Sequence, residues 1–254
     1  MGGSFGPPIF LVPLHDRFRT MLHLIQRWLA GAKTATSGAW DLSDYPAYEL
    51  PHAGAGQALS VEQAQQNWAY FQATLDERQR LVRSWLVEHN GPDPQALQGA
   101  AYATALNTWA KAHWPQLPAF SRLPPHKPWP DCPRSGPFIV NSLLGDLALS
   151  LGEAIRQANG HWHWGLSLDA IDLADDMATA RRVVLLADLT HPTPETREAA
   201  LDLEAMVFAA HRFPDSPDFV YLDTWARVAA EAIAGRHYDF GGPGPALDGR
   251  AGPT

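Results

Sequence analysis

Cysteine is nearly missing. Cys132 is the only one in 254 residues, which excludes an internal disulfide and a cysteine-built zinc site. Its neighbours Asp131 and Pro133 supply no cation to lower the thiol's pKa, so a thiolate nucleophile is not expected. Charge is sparse as well, at 18% of residues, and no run of lysines or arginines interrupts a net charge of -8. A nucleic-acid surface therefore lacks its electrostatic footprint, and basic partners are favoured instead. Glycine-rich turns are confined to Ser135-Gly136 and Gly241-Gly242-Pro243-Gly244, neither of which links a strand to a helix with a following lysine. That argues against a phosphate cradle, and no serine-elbow motif appears. Long apolar runs are absent too: the early run Ile9 to Leu14 is cut by Pro13. No segment reaches the roughly 18 uninterrupted apolar residues of a membrane span. Neither a secretory leader nor a membrane partner is expected, and a cytoplasmic location is.

What the chain does have is core material, with 46% apolar residues and ten tryptophans. Phe18, Met21, Leu22, Ile25, Trp28 and Leu29 recur at helical spacing up to Gly31. Residues 35 to 59 lack a period and read as a long loop pinned by Trp40, Tyr45 and Tyr48. Ser60 with Gln63 has the form of a capping box opening a helix with Ala64, Trp68, Phe71, Leu75, Val82, Trp85 and Leu86 on one face. Asn90-Gly91-Pro92 ends it. Asp93 and Pro94 then predict a second helix carrying Leu97, Ala101, Ala105, Trp109 and Ala112 inward, packed antiparallel on the first.

Eight prolines between residues 115 and 137 predict an extended strap. Phe138 to Ala158 reads as a buried helix in which Gly145, Ala148 and Gly152 share a side, a pattern that suggests another backbone passing close by. Asn159 and Gly160 predict a left-handed stop. His161 to Trp164 alternates as a half-buried strand does, and residues 182 to 187 supply a second strand after a short helix. Thr193, Pro194 and Glu195 predict a helix running through Ala210, and a last one spans about 219 to 234. The expected fold is α+β and helix-rich, a bundle of long amphipathic helices packed with a small β-sheet. Its regions are an N-terminal helical part (1–114), the strap (115–137), a mixed part (138–240) and a Gly/Pro-rich tail (241–254), with a single compact domain as the alternative.

Three constellations bear on chemistry. His161 and His163 would point one way from a strand, about 7 Å apart along it, and Asp169, Asp172, Asp176 or His191 could add a third metal ligand. The competing reading makes the histidines the wet face of a strand whose tryptophans face inward. Asp169, Asp172, Asp175 and Asp176 sit at helical spacing, as a Mg²⁺ cluster or a solvated face. Asp146 and Glu153 project two turns apart from the apolar helix, as a carboxylate pair or as partners of arginines such as Arg156 or Arg182. Trp114 and Trp129 flank the strap and, with Glu153, Asp172 and Asp176, form the expected binding set.

The run Leu147, Ala148, Leu149, Ser150, Leu151, Gly152, Glu153, followed by Trp162-His163-Trp164 and an aliphatic strand, resembles uncharacterised bacterial domains, including immunity-type proteins of polymorphic toxin systems. The resemblance covers residues 138–187 and implies a bacterial cytoplasmic protein that binds another protein. Together with the acidic balance it leads to the expectation of a non-enzymatic immunity protein that neutralises a basic toxin, without a cofactor. The alternative is a metal-dependent hydrolase using His161, His163 and a downstream aspartate. A helical small-molecule binder would instead show an apolar cavity beside Gly145 and Gly152.

Overall fold

The computed structural model describes residues 39–118, 129–175, 177, 179–188 and 198–235. The expected first helix, His191, Asp176, the side chain of Trp129 and the tail lie outside them. The fold is helix-rich α+β, with seven α-helices and a three-stranded antiparallel sheet among the described residues. Helices α1 (Val61–Glu88), α2 (Gly99–His113), α3 (Val140–Ala158), α4 (Ala170–Ala174), α5 (Leu203–Arg212), α6 (Pro217–Val220) and α7 (Thr224–Ile233) are joined by strands β1 (His163–Leu166), β2 (Val183–Asp188) and β3 (Glu198–Leu201).

Helix α3 lies in the middle, buried from Val140 to Ile155, with α1, α2, α5 and α7 packed against it. The stretch from Gly136 to Ala158 is apolar and long enough to cross a membrane, but 89% of its most apolar window is buried inside the fold, as a core helix requires. One hydrophobic cluster runs from Leu42 to Ala232, so residues on both sides of the strap share a core.

Five polar side chains interrupt this apolar helix, and each ties down a different segment. Asn141 donates to the Pro133 carbonyl at 2.7 Å. Ser142 donates to the Arg134 carbonyl at 2.6 Å and accepts from the Tyr48 amide at 2.7 Å. Asp146 accepts from Arg78 and Tyr45, Ser150 meets the Tyr102 hydroxyl at 2.5 Å, and Glu153 accepts from the Trp164 indole at 2.7 Å. The loop before α1 is thereby pinned, with Leu42, Tyr45 and Tyr48 buried.

The capping box forms as predicted: Gln63 N–H donates to Ser60 Oγ at 3.2 Å, and Ser60 N–H donates to Gln63 Oε1 at 2.8 Å. Asn90, at φ 56°, closes α1. Several expectations need correction. Asp93 and Pro94 open only a turn, and α2 starts at Gly99, whose φ of 52° breaks any continuous helix from Pro94. Its inner stripe is Tyr102, Ala103, Leu106, Trp109 and Ala110 instead of the small residues Ala101, Ala105 and Ala112, because the bulkier side chains gain more by burial. Helices α1 and α2 meet through Trp85 and Trp109, 5.8 Å apart edge to face, but α1 packs chiefly on α3, and α2 on α7 and α3.

Residues 198–201 are strand β3, not helix, and α5 begins at Leu203 behind Asp202, whose carboxylate accepts from Ala205 N–H at 2.9 Å. The sequence Glu-Ala-Ala-Leu favours helix locally. Pairing with the open edge of β2, with Leu185 opposite Leu201, overrides that preference. The last helix is split at Tyr221 to Asp223, because Lys111 and Asn107 of α2 hold the Asp223 carboxylate at 2.7 and 3.0 Å and fix its φ at 47°. Asn159 is extended, at φ -138°, and not left-handed. Its amide donates to the carbonyls of Ala232 and Ile233 at the end of α7. What passes close to Gly145 and Gly152 is side chain, not backbone: Arg134 and Tyr48 at the first, Trp164 and Leu203 at the second.

Candidate functional site

A cleft of about 50 Å³ opens between α3 and the sheet. Tyr48, Phe71, Leu149 and Trp164 supply aromatic and aliphatic wall, and Arg181, Arg182 and Glu204 supply charge. It borders Gly145 and Ala148, as a small-molecule binder would require, but the space beside Gly152 is filled by Trp164.

Glu204, in the first turn of α5, is the hub of the charged wall. Arg134 Nη2 donates to its Oε1 and Arg182 Nη2 to its Oε2, while Arg182 Nη1 reaches Asp202 at 3.3 Å. Burial by itself would raise the pKa of Glu204, but the two guanidinium groups outweigh it and hold the carboxylate below its ordinary range. Asp202 goes the other way: burial raises it despite Arg182 and the Ala205 N–H. The Arg134 guanidinium also lies over the rings of Tyr48 and Phe208, 5.7 Å from each centroid.

A second buried charge pair lies on the far side of Gly145 in sequence. Asp146 is fully buried and accepts from Arg78 Nε at 2.9 Å, from Arg78 Nη2 and from Tyr45 Oη at 2.5 Å. Burial pushes its carboxyl up to about 6, against the pull of Arg78 and Tyr45. Glu153 does not share its surroundings, so the two carboxylates are not a catalytic pair. Glu153 takes Arg156 at 2.8 and 2.9 Å as well as the Trp164 indole; these donors overcome burial and keep its pKa below normal.

Strand β1 begins only at His163, and His161 lies in the turn before it. Both histidines are exposed and Trp162 is buried, donating to the Ala232 carbonyl at 2.9 Å, so the alternation of wet and dry faces holds. Among the described residues no group of three His, Cys, Asp or Glu side chains is placed to hold a metal ion. Asp172 is instead occupied by the hydroxyls of Ser167 and Thr179, at 3.1 and 3.3 Å. Asp169 caps α4 by accepting from the Ile171 amide at 2.8 Å. Trp114 is removed from any exposed contact surface: it is 4% exposed and packs against His211, Phe219 and Trp225.

Around Asp172 the surface is of a different kind. The β1–β2 connection carries Leu168, Ile171 and Met177 at 48, 41 and 44% exposure, interleaved with Asp169, Asp172 and Asp175. Its base is fastened by Ser167 N–H to the Arg182 carbonyl at 2.9 Å and Arg181 N–H to the Ser167 carbonyl at 2.7 Å. Sequence reasoning singled out the aspartates of this segment but not its exposed apolar residues, and it missed Arg78 and Arg134 entirely. The available signal for Arg134 was an arginine set inside a proline-rich strap, where a solvated side chain has little to do. Comparison with protein-family models, with curated proteins and with solved structures gives no match.

Proposed function

We propose that this chain is a non-enzymatic protein-binding protein, acting in the manner of an immunity protein that covers a basic toxin in the cytoplasm. The observation that carries the reading is the β1–β2 connection, where the large apolar side chains of Leu168, Ile171 and Met177 stand exposed among Asp169, Asp172 and Asp175. Exposed apolar residues rimmed by charge are a common form of protein interface. The acidic rim and the net charge of -8 favour a basic partner and speed its approach. Asp172 supports the segment from within through Ser167 and Thr179, so its part is to shape the surface.

The test is binding between this chain and the product of the adjacent gene, together with growth protection against that product. Replacing Leu168, Ile171 and Met177 together by serine should leave the fold intact and weaken binding by about tenfold or more, since central apolar contacts carry more than about 1 kcal/mol each. Raising the salt should slow association. No complex and no protection would overturn the proposal.

A further inference from the structure

The charged side chains on the cleft wall are already engaged within the protein. Glu204 is held by Arg134 and Arg182, and Arg182 also reaches Asp202. Arg181 donates to the Leu59 carbonyl and has Glu62 as a carboxylate neighbour. Asn67 is closed on His52, accepting from its N–H at 2.9 Å and donating to its carbonyl at 2.8 Å. A charged guest would give up its water and find none of these groups open to replace it. The rest of the wall is Phe71, Ala148, Leu149, Val183, Leu203 and Trp164, whose indole N–H is taken by Glu153. Such a wall selects for an apolar group.

Size decides between a free ligand and a side chain. The cleft holds about 50 Å³, against roughly 150 Å³ for an apolar cavity that takes benzene. On that scale about two or three carbon atoms fill it, and a free molecule so small binds no tighter than roughly 0.5 mM even at the best efficiency per atom. The same atoms at the end of a protein side chain act together with the contacts around them, as interface anchors in pockets do. The chain supplies a surface for those contacts. The bonds from Ser167 to the backbone of Arg181 and Arg182 fasten the β1–β2 connection, and both arginines lie on the cleft wall. Trp164 and Val183 stand on the two strands that this connection joins. The cleft is thus continuous along the chain with the exposed Leu168, Ile171 and Met177.

We propose that the cleft receives the branched end of one valine or leucine side chain of the protein partner that covers the β1–β2 connection, held against Phe71, Leu149 and Trp164. The inference rests on the protein-binding reading above and gives that partner its anchor. The experiment uses the full chain with xenon as an apolar probe, followed by the methyl resonances of Ala148, Leu149, Val183 and Leu203. It is run on the free chain and on its complex with the product of the adjacent gene. In the free chain these methyls should shift with xenon pressure well beyond the exposed methyls of Val87. In the complex the response should vanish, because the anchor occupies the space. Val183→Phe, at a half-buried strand position that suits an aromatic residue, should fill the cleft, abolish the xenon response and weaken the complex by about tenfold or more. If Val183→Phe fails to fold, the native chain with and without its partner still decides. Absence of any complex would remove the protein-binding reading and this inference with it. A complex in which the xenon response persists, or a folded Val183→Phe with native affinity, would overturn the anchor and leave that reading standing. No xenon response in the free chain would overturn the anchor as well.

Discussion

Removing Arg78 should unfold this protein in a way that depends on pH, and the sign follows from Asp146. Arg78→Met keeps the apolar stem and deletes the charge that faces a fully buried carboxylate. An unfolded aspartate titrates near 3.8, and folding moves Asp146 up to about 6. The group's contribution to stability is therefore fully present below 3.8, falls as pH rises toward 6, and is level above 6. Without Arg78 the folded carboxyl is harder still to ionise, so the fall continues beyond pH 6 at about 1.4 kcal/mol per unit. The gap between variant and native protein should widen by roughly 3 kcal/mol from pH 6 to pH 8. A pH-independent loss of about 1 kcal/mol adds to it, because the Pro46 carbonyl loses the Arg78 donor at 3.0 Å. The total at pH 8 then reaches the range of about 3–5 kcal/mol typical of a buried pair deprived of one partner. Urea unfolding followed by tryptophan fluorescence at pH 6, 7 and 8 measures it. In Arg78→Met with Asp146→Asn no titrating group remains, and the widening should vanish. A gap of equal size at pH 6 and pH 8 in the single variant would refute the reasoning.

Gly152→Ala should destabilise by about 1–2 kcal/mol: the helix gains about 1 kcal/mol of propensity, but the methyl group meets Leu203 Cδ1 at 2.9 Å and the Trp164 ring more closely still. Gly145→Ala, whose methyl group meets the Arg134 guanidinium at 2.8 Å where Glu204 holds it, should also destabilise but by less, since a side-chain end gives way more easily than the packed Trp164 ring, and equal thermal midpoints for the two variants would contradict this. His211 is buried against Trp114 and bonded to the Pro118 carbonyl, and burial lowers its pKa to about 4 from 6.5. Its contribution is present above 6.5 and lost as pH falls toward 4, about 3 kcal/mol in all, so His211→Gln should lose less stability than the native protein between pH 7 and pH 4. Parallel urea midpoints across that range would count against it.

Local signals were legible where local forces decide. Ser60 and Gln63 satisfy each other's backbone within four residues, and Asn90 stops α1 in the left-handed region, so sequence places both ends of that helix. The same holds for α3, where nothing but burial suits an apolar stretch of that length. Glu198 to Leu201 is the opposite case: its helical propensity is real, and only the free edge of β2, which no local pattern announces, turns it into a strand. The site shows the same division. Trp164 and Glu153 were visible as residues, and the Arg156 partner three positions along was within reach of helical spacing. Arg78 meeting Asp146 and Arg134 meeting Glu204 join positions 68 and 70 residues apart, which only the tertiary fold can bring together. The exposed Leu168, Ile171 and Met177 were hidden because apolar residues in a short helix look like core until the neighbours are known.

The polar residues of α3 explain how a helix that is apolar on every side keeps a single position. Hydrophobic contact is non-directional, so burial alone would tolerate α3 rotated or shifted among its four helical neighbours. Asn141, Ser142, Asp146, Ser150 and Glu153 each have a partner on a different segment, the strap, the loop before α1, α1 itself, α2 and β1. Shifting the helix by one residue turns every side chain by about 100° and parts all of these pairs at once. With each unsatisfied buried group costing on the order of 1–3 kcal/mol, the slipped arrangement lies at least about 5 kcal/mol higher, as much as a whole small domain has to spare. Gly145 and Gly152 belong to the same device: they leave room for the Arg134 and Trp164 side chains that Glu204 and Glu153 hold, so the charged wall of the cleft is set by the register of the central helix.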